Sequence, residues 1–377
     1  MSKINDLIKE MCPNGVEYVK LEELVDYIQP AKYIVKNTNY DIKYDVPVLT
    51  AGQTFILGYT NEKVGIYYAN ADNPVIIFDD FTTSNHWVDF NFKVKSSAMK
   101  ILISKTDNLF KYIYYCISNI DYVPKEHSRQ WIQVYSQFQI PLPPLKVQEE
   151  IVRILDKFGE LEAELEAELE ARKSQYEFWR GQMFKHKGNS KISDLFKRVK
   201  GTPITAGKMK EIEDTYGKIR IFAGGQTAVN ANLEDIPKAN IIDYPCVIVQ
   251  SRGLIDFVYY DKPFTFKNEM WAYTCNNQVT VKYLYYYLKN NVNHFRKIGT
   301  QMGSMPQISL PVTEKFEIYL PSLEEQKKIV NILDKFEKII SDISIGLPAE
   351  IELRKKQYEY YRNKLLSFEK LNYETVA

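Results

Sequence analysis

Two motifs occur twice in this sequence, and their duplication constrains the fold more than any other feature. The first motif is IPLPPLKVQEEIVRILDKF at 140–158, which recurs as IYLPSLEEQKKIVNILDKF at 318–336. The second is RKSQYEFWR at 172–180, which recurs as RKKQYEYYR at 354–362. Such self-similarity within one chain indicates that a structural unit occurs twice. The offsets are 178 and 182, so the second copy carries four more residues, about one helical turn.

The rest of the chain shows weaker echoes of the same duplication. They pair TAGQT (50–54) with AGGQT (223–227), YIYYCI (112–117) with YLYYYL (283–288), and LEEL (21–24) with ISDL (192–195). Agreement at matched positions of both long motifs disfavours chance similarity. The order is therefore a variable block, a helical block, a second variable block and a second helical block.

The helical blocks have clear amphipathic periodicity. From Val147 to Met183 apolar residues recur every three or four positions, which predicts one helix of roughly 38 residues and about 57 Å. The second block contains Gly346 and Pro348, which fit a helix end and a new first turn, so a restart is expected near Ala349, with the helix running to about Phe368. Neither helix is stable alone, and antiparallel packing on each other is the economical solution.

The variable blocks alternate short apolar runs with turn residues, which is typical of β-rich domains. We therefore predict an α+β fold: two β-rich domains separated by two long helices that pack as an antiparallel coiled coil, with a pseudo-twofold internal repeat. The predicted parts are the first β-rich domain (1–142), the first helix (143–186), the second β-rich domain (187–320) and the second helical region (321–377, broken near 346–348).

Charge is unevenly distributed along the chain. The overall net charge is +1, but residues 185–317 hold 19 Lys and Arg against 12 Asp and Glu, a net +7, whereas residues 1–139 have 14 against 16. The second variable block can thus meet phosphates, although charge alone is weak support. The four cysteines are scattered with no CxxC pair, which favours a reducing cytoplasm over a disulfide or zinc site. No apolar run approaches 18 residues, so we expect neither signal peptide nor membrane span.

The sequence lacks the motifs of the common catalytic sites. It contains no GxxxxGK[ST], no strand-linked GxGxxG and no [NDS]PP[YFW] tetrapeptide. Asp79 and Asp80 resemble the acid pair of a nuclease, but no partner acid and lysine follow at short spacing, so turn carboxylates are favoured. We therefore expect no catalytic residues, no metal and no cofactor in this chain.

Two near-identical helical blocks between divergent β-rich blocks resemble the specificity subunit of a type I restriction–modification system. The similarity covers essentially the whole chain and is strongest in GLPAEIELRKKQYEYYRNKLLSF (346–368). The resemblance implies that each β-rich domain is a target-recognition domain for one half of a split DNA site. It further implies that the helices hold the halves apart and dock two modification subunits, which carry S-adenosylmethionine and methylate adenine in double-stranded DNA. A motor-nuclease subunit can join them. Base flipping then belongs to the partner.

The run ELEAELEAELEA (160–171) repeats a four-residue unit three times. In the family that the chain resembles, such repeats tune the gap between the half-sites. One unit lengthens a helix by about 6 Å and turns it by about 400°, which is comparable to the rotation of one or two base pairs of DNA. The alternative is a solvated linker with strong helix propensity.

Candidate DNA contacts are polar residues in predicted loops, because Arg and Lys recognise guanine while Asn and Gln recognise adenine. For any one of them, a phosphate contact or plain surface is the alternative. In the first domain they are Gln53, Thr54, Thr82, Thr83, Asn85, His86, Arg129 and Gln130. In the second they are Gln226, Thr227, Arg252, Asn268, Gln301, Ser304 and Gln307, with Lys197, Arg198, Lys200, Lys208 and Lys210 as candidate phosphate contacts.

Candidate partner-binding residues are the aromatic side chains near the helix ends, which exceed what one two-helix interface needs. They are Tyr176, Phe178, Trp179, Tyr358, Tyr360 and Tyr361. Packing against the β-rich domains is the alternative. For the whole chain, the alternative is a non-enzymatic coiled-coil adaptor whose β-rich domains bind proteins. An enzyme is disfavoured, since one active site does not need two matched spacers.

Overall fold

A computed structural model describes residues 2–50, 54–225, 227–300, 305–342 and 344–371. The helices are α1 Ser2–Met11, α2 Leu21–Leu24, α3 Phe110–Ser118, α4 Leu145–Met183, α5 Ile192–Leu195, α6 Ala206–Glu211, α7 Gln278–Asn290, α8 Val292–Thr300, α9 Leu310–Glu314, α10 Leu323–Ser341 and α11 Leu347–Leu365. The strands of the first half are β1 Glu17–Lys20, β2 Val25–Ile28, β3 Val46–Leu49, β4 Ile56–Thr60, β5 Val75–Asp79, β6 Asn85–Val88, β7 Lys93–Val94, β8 Met99–Ser104 and β9 Gln139–Leu142. Those of the second half are β10 Ser190–Lys191, β11 Lys197–Val199, β12 Ile219–Phe222, β13 Ala228–Ala231, β14 Cys246–Gln250, β15 Asp256–Tyr260, β16 Phe264–Phe266, β17 Trp271–Thr274 and β18 Glu317–Ile318.

The chain divides into two compact units. Unit 1 comprises Met1–Glu164 and Ile351–Ala377, and unit 2 comprises Leu165–Glu350. Each unit therefore combines one β-rich block with part of the helical blocks, and α4 contributes residues to both. The two units are defined by contacts in space, whereas the four predicted parts were defined by the sequence pattern. The predicted boundaries therefore stay predictions.

Unit 1 is built on two sheets. The first has strand order β2-β8-β5-β6 and is antiparallel throughout. The second has order β4-β3-β7, in which β3 and β7 run parallel. Every residue of β5 is buried, as expected for an apolar run in the middle of a sheet. A separate β1-β9 pair completes the strands described in this unit.

Unit 2 repeats this topology strand for strand. Its four-stranded sheet has order β11-β17-β14-β15, and its three-stranded sheet has order β13-β12-β16 with β12 and β16 parallel. The β10-β18 pair corresponds to β1-β9. The faint sequence echoes therefore reflect one fold that occurs twice, and the predicted α+β repeat is confirmed.

The helices follow the predicted pattern with small shifts. Helix α4 is one continuous element of 39 residues. The break falls between Ser341 and Leu347, where the Gly346 amide donates to the Asp342 carbonyl at 2.9 Å. Helix α11 begins two residues before the predicted restart and ends at Leu365, three residues before the predicted end. It ends early because Glu369 and Leu371 form backbone hydrogen bonds with Val16 instead.

The glutamine of the first repeated motif is a buried connector in both units. Gln148 donates to the Pro143 carbonyl at 2.8 Å and accepts from the Leu109 amide at 3.1 Å. Gln326 donates to the Pro321 carbonyl at 2.7 Å and accepts from the hydroxyl of Thr280 at 2.7 Å. Each glutamine thereby joins the start of a long helix to a neighbouring helix of the same unit.

The two repeated motifs are partners of each other within each unit. In unit 1 the Phe158 ring of α4 lies 6.3 Å from the Tyr358 ring of α11 and 5.4 Å from Tyr361, while Lys355 pairs with Glu162 at 3.5 Å. Residue numbers rise on one helix as they fall on the other, so these segments are antiparallel. In unit 2 the Phe336 ring of α10 lies 6.1 Å from the ring of Tyr176 in α4.

Candidate nucleic-acid interface

Three loops of unit 2 meet where the central strands end. The Gly225 amide donates to the Arg252 carbonyl at 2.9 Å, the Gly253 amide to the Pro306 carbonyl at 2.8 Å, and the Ile308 amide to the Ser251 carbonyl at 2.9 Å. We call residues 223–225, 227, 251–254 and 305–308 the unit 2 loop surface. Because all three loops are joined by backbone hydrogen bonds, the side chains that they carry are held at defined positions.

Glycine is required at two points of this surface. Gly225 and Gly253 have φ values of 70° and 76°, a region that side-chain-bearing residues rarely adopt. A Cβ at Gly253 would make only an ordinary contact, 3.7 Å from Gly225 Cα. The backbone conformation, rather than lack of space, therefore explains the glycine.

Several predicted DNA contacts of unit 2 come together on this surface. Arg252 and Gln307 are exposed and face each other in an antiparallel β-bridge. Thr227 is exposed on the neighbouring turn, and Asn268 is exposed beside Glu269, whose carbonyl accepts from the hydroxyl of Ser251 at 3.4 Å. An exposed arginine next to an exposed glutamine offers donors for guanine and for adenine edges.

The sheet register places the basic residues in and just after β11 toward different ends of the sheet. Val199 of β11 pairs with Ala272 of β17, and Ala272 also pairs with Ile248 of β14. Lys200, the next residue after Val199, therefore lies toward the end of the sheet where β14 continues into the 251–254 turn. Lys197 pairs with Thr274 and lies toward the opposite end. Arg198 is exposed between them, and Lys208 of α6 is paired with Glu211 at 2.8 Å. Among these cations, Lys200 is the one best placed beside the loop surface.

Unit 1 has an equivalent surface. The residue after β5, Asp80, accepts from the Gln130 amide at 2.8 Å, as Ser251 after β14 accepts from Ile308. We call residues 54, 80–84 and 127–131 the unit 1 loop surface. The same register makes Phe81 and Arg129 the counterparts of Arg252 and Gln307. Each unit therefore has one exposed arginine in this pair of positions. In unit 2 it is on the first segment (Arg252), and in unit 1 it is on the second (Arg129).

A buried ion pair lies beneath the unit 1 loop surface. Lys100 Nζ is 3.5 Å from Asp80 Oδ2, and the two side chains are 0% and 1% exposed. Asp80 Oδ1 accepts from the Trp131 amide at 2.9 Å, and Arg129 Nη1 lies 3.9 Å from Oδ2. Lys100 Nζ also lies 4.7 Å from the centre of the Tyr27 ring. Asp80, predicted as a turn carboxylate, thus joins the two segments that carry Thr82 and Arg129.

Two predicted DNA contacts of unit 1 are corrected by their burial. Gln130 is 3% exposed, and its amide group donates to the Ser128 carbonyl and accepts from the Tyr122 hydroxyl. Thr83 is 8% exposed, and its hydroxyl donates to the Thr82 carbonyl. Both side chains are occupied within the loop, so the structure contradicts their predicted role as base contacts.

The remaining predicted residues of unit 1 differ in access. Thr54, Thr82 and Arg129 are exposed. Asn85 is half-buried and accepts from the hydroxyl of Ser118. His86 is half-buried against the Phe55 ring at 4.0 Å, and this burial lowers its pKa.

Four predictions fall outside the residues that the structure describes, and one aromatic contact was missed. The four are Gln53, Gln226, Gln301 and Ser304. The missed contact is the stacking of Phe81 on His127, with ring centres 4.6 Å apart on the unit 1 loop surface. Neither residue belongs to a sequence motif, so only the fold brings them together.

The aromatic residues of the helices separate into inward and outward groups. Tyr176 is 7% exposed, and Tyr358 and Tyr361 are half-buried and pack on Phe158, so these three stabilise their own units, and their predicted role in partner binding stays a prediction. Phe178, Trp179 and Tyr360 are 59%, 45% and 59% exposed. Phe178 and Tyr360 occupy equivalent positions of the repeat. We call these three exposed side chains the outer aromatic residues.

Within the described ranges, no three His, Cys, Asp or Glu side chains are grouped as a metal site. Among the helices that the structure describes, none is long and apolar enough to span a membrane.

Comparison with known proteins identifies close relatives. The model of the type I restriction modification DNA specificity domain matches residues 13–171 and 185–353. The chain is 40% identical over its full length to the full-length EcoR124I/EcoR124II specificity subunit of Escherichia coli, a type I restriction enzyme. It is 29% identical to a putative type I specificity subunit of Haemophilus influenzae, with 94% of this chain and 96% of the relative covered.

Two solved structures share the fold. The S subunit of a type I restriction–modification system from M. genitalium aligns with a TM-score of 0.58 at 15% identity, over 93% of this chain and 96% of its own. A chain from a study of type I complex assembly and conformational transition aligns with a TM-score of 0.57 at 13% identity, over 94% and 98%.

Proposed function

Because the chain belongs to the type I restriction–modification DNA specificity family, we propose that it selects the DNA sequence on which a type I complex acts. Each unit contacts one half of a two-part site through its loop surface. The observation that carries this proposal is the duplication: two units of one topology each present an exposed arginine on loops that are joined by backbone hydrogen bonds. Divergent loops on a common scaffold suit two different half-sites.

The partners follow from the family and from the outer aromatic residues. We propose that Phe178, Trp179 and Tyr360 contact modification subunits, because exposed aromatic side chains are enriched at protein interfaces. Two such subunits would match two equivalent helical positions, and a motor-nuclease subunit would join the same complex. Tyr176, Tyr358 and Tyr361 contribute indirectly by fixing the helices beneath them.

The chemistry belongs to the partners in this proposal. S-adenosylmethionine binds to the modification subunit, which methylates adenine, whereas this chain supplies sequence recognition and no catalytic group. The complex acts on cellular DNA in the cytoplasm. This division is supported by relatives that are named specificity subunits.

The ELEA repeats are proposed to set the gap between the half-sites. Helix α4 runs through 160–171 without interruption. Leu161, Leu165 and Leu169 are half-buried, whereas most of the intervening glutamates are exposed. Exposed pairs such as Arg172–Glu168 at 2.7 Å join the repeat to its flank. Leu169 also packs against the core of unit 2, but the repeat units are identical, so a change by one unit leaves a leucine at the same place.

A methylome comparison tests the proposed function. Long-read sequencing of cells carrying this chain and its methyltransferase should show a two-part adenine-methylated motif with a fixed gap. The motif should disappear when only this chain is deleted. If the complex forms and methylation is unchanged by the deletion, the chain does not set specificity, and the adaptor function takes its place.

A further inference from the structure

The unit 2 loop surface carries two exposed apolar side chains beside its arginine. Leu254 is 44% exposed and Met305 is 51% exposed. The backbone contacts join 251 with 308, 252 with 307 and 253 with 306. Extending this antiparallel register by one position places Leu254 opposite Met305. Single exposed apolar residues are ordinary, but a facing pair next to Arg252 and Gln307 requires an explanation.

The outward direction of Leu254 is fixed by its neighbour. Ile255 is 1% exposed and packs directly on Gly299, and its carbonyl accepts from Arg296 at 2.9 Å. Since Ile255 is anchored in the core, Leu254 has to face away from it. Gly253 on its other side is held by the Pro306 carbonyl. The exposure of Leu254 is thus imposed by the loop.

The chemistry of base edges indicates what this apolar pair contacts. In the major groove, the 5-methyl group of thymine is the apolar feature of the base edges, and it is recognised by apolar contact. The neighbouring Arg252 and Gln307 offer hydrogen bonds to guanine and adenine. Building on the proposed function, we infer that Leu254 and Met305 contact the methyl group of a thymine in the second half-site, next to the base pair contacted by Arg252 or Gln307.

Unit 1 lacks this apolar pair. The equivalent positions hold Thr83, which is buried, and His127, which is exposed and stacked on Phe81. The inference therefore applies to the second half-site alone. It also makes Leu254 and Met305 specificity-determining residues, although their side chains donate no hydrogen bond to a base.

The test uses DNA in which thymine is replaced by uracil, which removes only the methyl group. The duplex carries the two-part motif from the methylome, and the full chain is used in the complex that methylates it. Uracil is substituted at each thymine of the second half-site in turn, and Kd is measured by fluorescence anisotropy. One substitution should weaken binding roughly three- to fivefold, the value expected for losing one buried methyl group.

The paired variant Leu254→Ala/Met305→Ala should remove this dependence. It should bind the thymine and uracil duplexes equally, at the affinity of the original protein for the uracil duplex. The control is Leu233→Ala, a leucine of unit 2 that is 55% exposed and lies near the end of β13 away from the loop surface. This variant should retain the full thymine preference.

Distinct outcomes would overturn the inference or the proposed function. A second half-site without thymine in either strand, or a uracil effect that persists in the paired variant, excludes the methyl contact. If the paired variant loses its partner subunits but keeps the thymine preference, Leu254 and Met305 belong to a protein interface and not to the DNA contact. If the original complex binds the motif no better than a scrambled duplex, the proposed function itself fails.

Discussion

Gln148 and Gln326 occupy equivalent places in the two units, and each amide group is used inside its own unit. The LDKF aspartates behave alike, since Asp156 accepts from Tyr115 and Asp334 accepts from Tyr286. Burial, followed by the neighbouring carboxylates, raises the pKa of both tyrosines, so the phenols remain donors at neutral pH. At the scale of residues, these parts of the repeated motifs stabilise the units, and we propose that recognition depends on residues that differ between them.

The Asp80–Lys100 pair gives a stability prediction. Lys100→Met should lower the free energy of unfolding by up to about 3–5 kcal/mol, because the buried Asp80 carboxylate loses its buried cation and keeps the half-exposed Arg129 at 3.9 Å. The double variant Asp80→Asn/Lys100→Met should recover most of this loss, since the amide oxygen can still accept from Trp131. Urea denaturation measures both. Equal stability of Lys100→Met and the original protein would show that the pair is not buried as described.

Arg252 gives a prediction about specificity. Arg252→Ala should relax one position of the second half-site by about 1–3 kcal/mol of discrimination and leave the first half-site unchanged, because a bidentate guanine contact is lost. A methylome of the variant measures this. The matched control is Lys262→Ala, an exposed cation beyond the opposite end of β15. Uniformly weaker binding with a smaller salt slope would instead assign Arg252 to a phosphate.

At the scale of elements, helix α4 combines two sequence patterns. Its ends carry motifs that pack in the units, whereas its middle repeats four residues. Like-charged glutamates four apart oppose a helix by about 0.2–0.5 kcal/mol per pair. The exposed pairs Lys157–Glu160 and Lys173–Glu170 at the two ends of the repeat offset part of this cost. We therefore expect the middle of the helix to tolerate changes in length by whole repeat units.

Deletion of one repeat unit tests this element. Removing Glu160–Ala163 should shorten the recognised gap and leave both half-sites unchanged, because no residue of either loop surface is altered. The change should be one or two base pairs, comparable to a helix shortened by about 6 Å. The methylome of the variant reports gap and half-sites together.

A charge variant of the same segment separates length from composition. Glu160→Gln with Glu164→Gln keeps the number of residues and removes two carboxylates, so the gap should not change. A gap that is unaltered by the deletion, or half-sites that change with it, would contradict the proposed role of the repeat.

At the scale of the whole molecule, unit 1 is assembled from both ends of the described chain. The Val16 amide donates to the Glu369 carbonyl at 2.9 Å, and the Leu371 amide donates to the Val16 carbonyl at 2.8 Å. The Tyr18 hydroxyl donates to the Phe368 carbonyl at 2.8 Å. Unit 2, by contrast, is one continuous stretch of chain. The same fold is therefore built from two separate chain segments in unit 1 and from one continuous segment in unit 2.

Truncation should distinguish the two units. A chain that ends at Ser367 should exchange amide hydrogens faster around Val16 and Tyr18, because three hydrogen bonds worth about 0.5–1.5 kcal/mol each are lost. Strands β12 and β14 should be unaffected. Lys370→Ala serves as the control, since it removes side-chain contacts with Gln139 at 3.2 Å and with the Tyr18 ring at 6.0 Å but keeps the backbone hydrogen bonds. Equal protection in the truncated and full chains would show that the segment does not stabilise unit 1.

The sequence by itself determined the duplication, the two helical blocks and the break between α10 and α11. These depend on local periodicity and on Gly346 and Pro348, which act through their own backbone preferences. It also indicated the family, because the repeated motifs are retained at matched positions. Arg252 and Gln307 lie in loops, as expected, but nothing local showed that they face each other, and their contact with DNA stays a prediction.

Only the tertiary structure decided which candidates are accessible and which residues share a surface. Gln130 and Thr83 carry suitable chemistry but are buried, while Leu254 and Met305 lie 51 positions apart and meet only through the register of the 251–254 and 305–308 segments. The separation of Tyr176 from Phe178, one inward and one exposed, depends on which face of α4 meets α10. Burial and pairing of this kind arise from contacts between distant segments, and the local sequence does not encode them residue by residue.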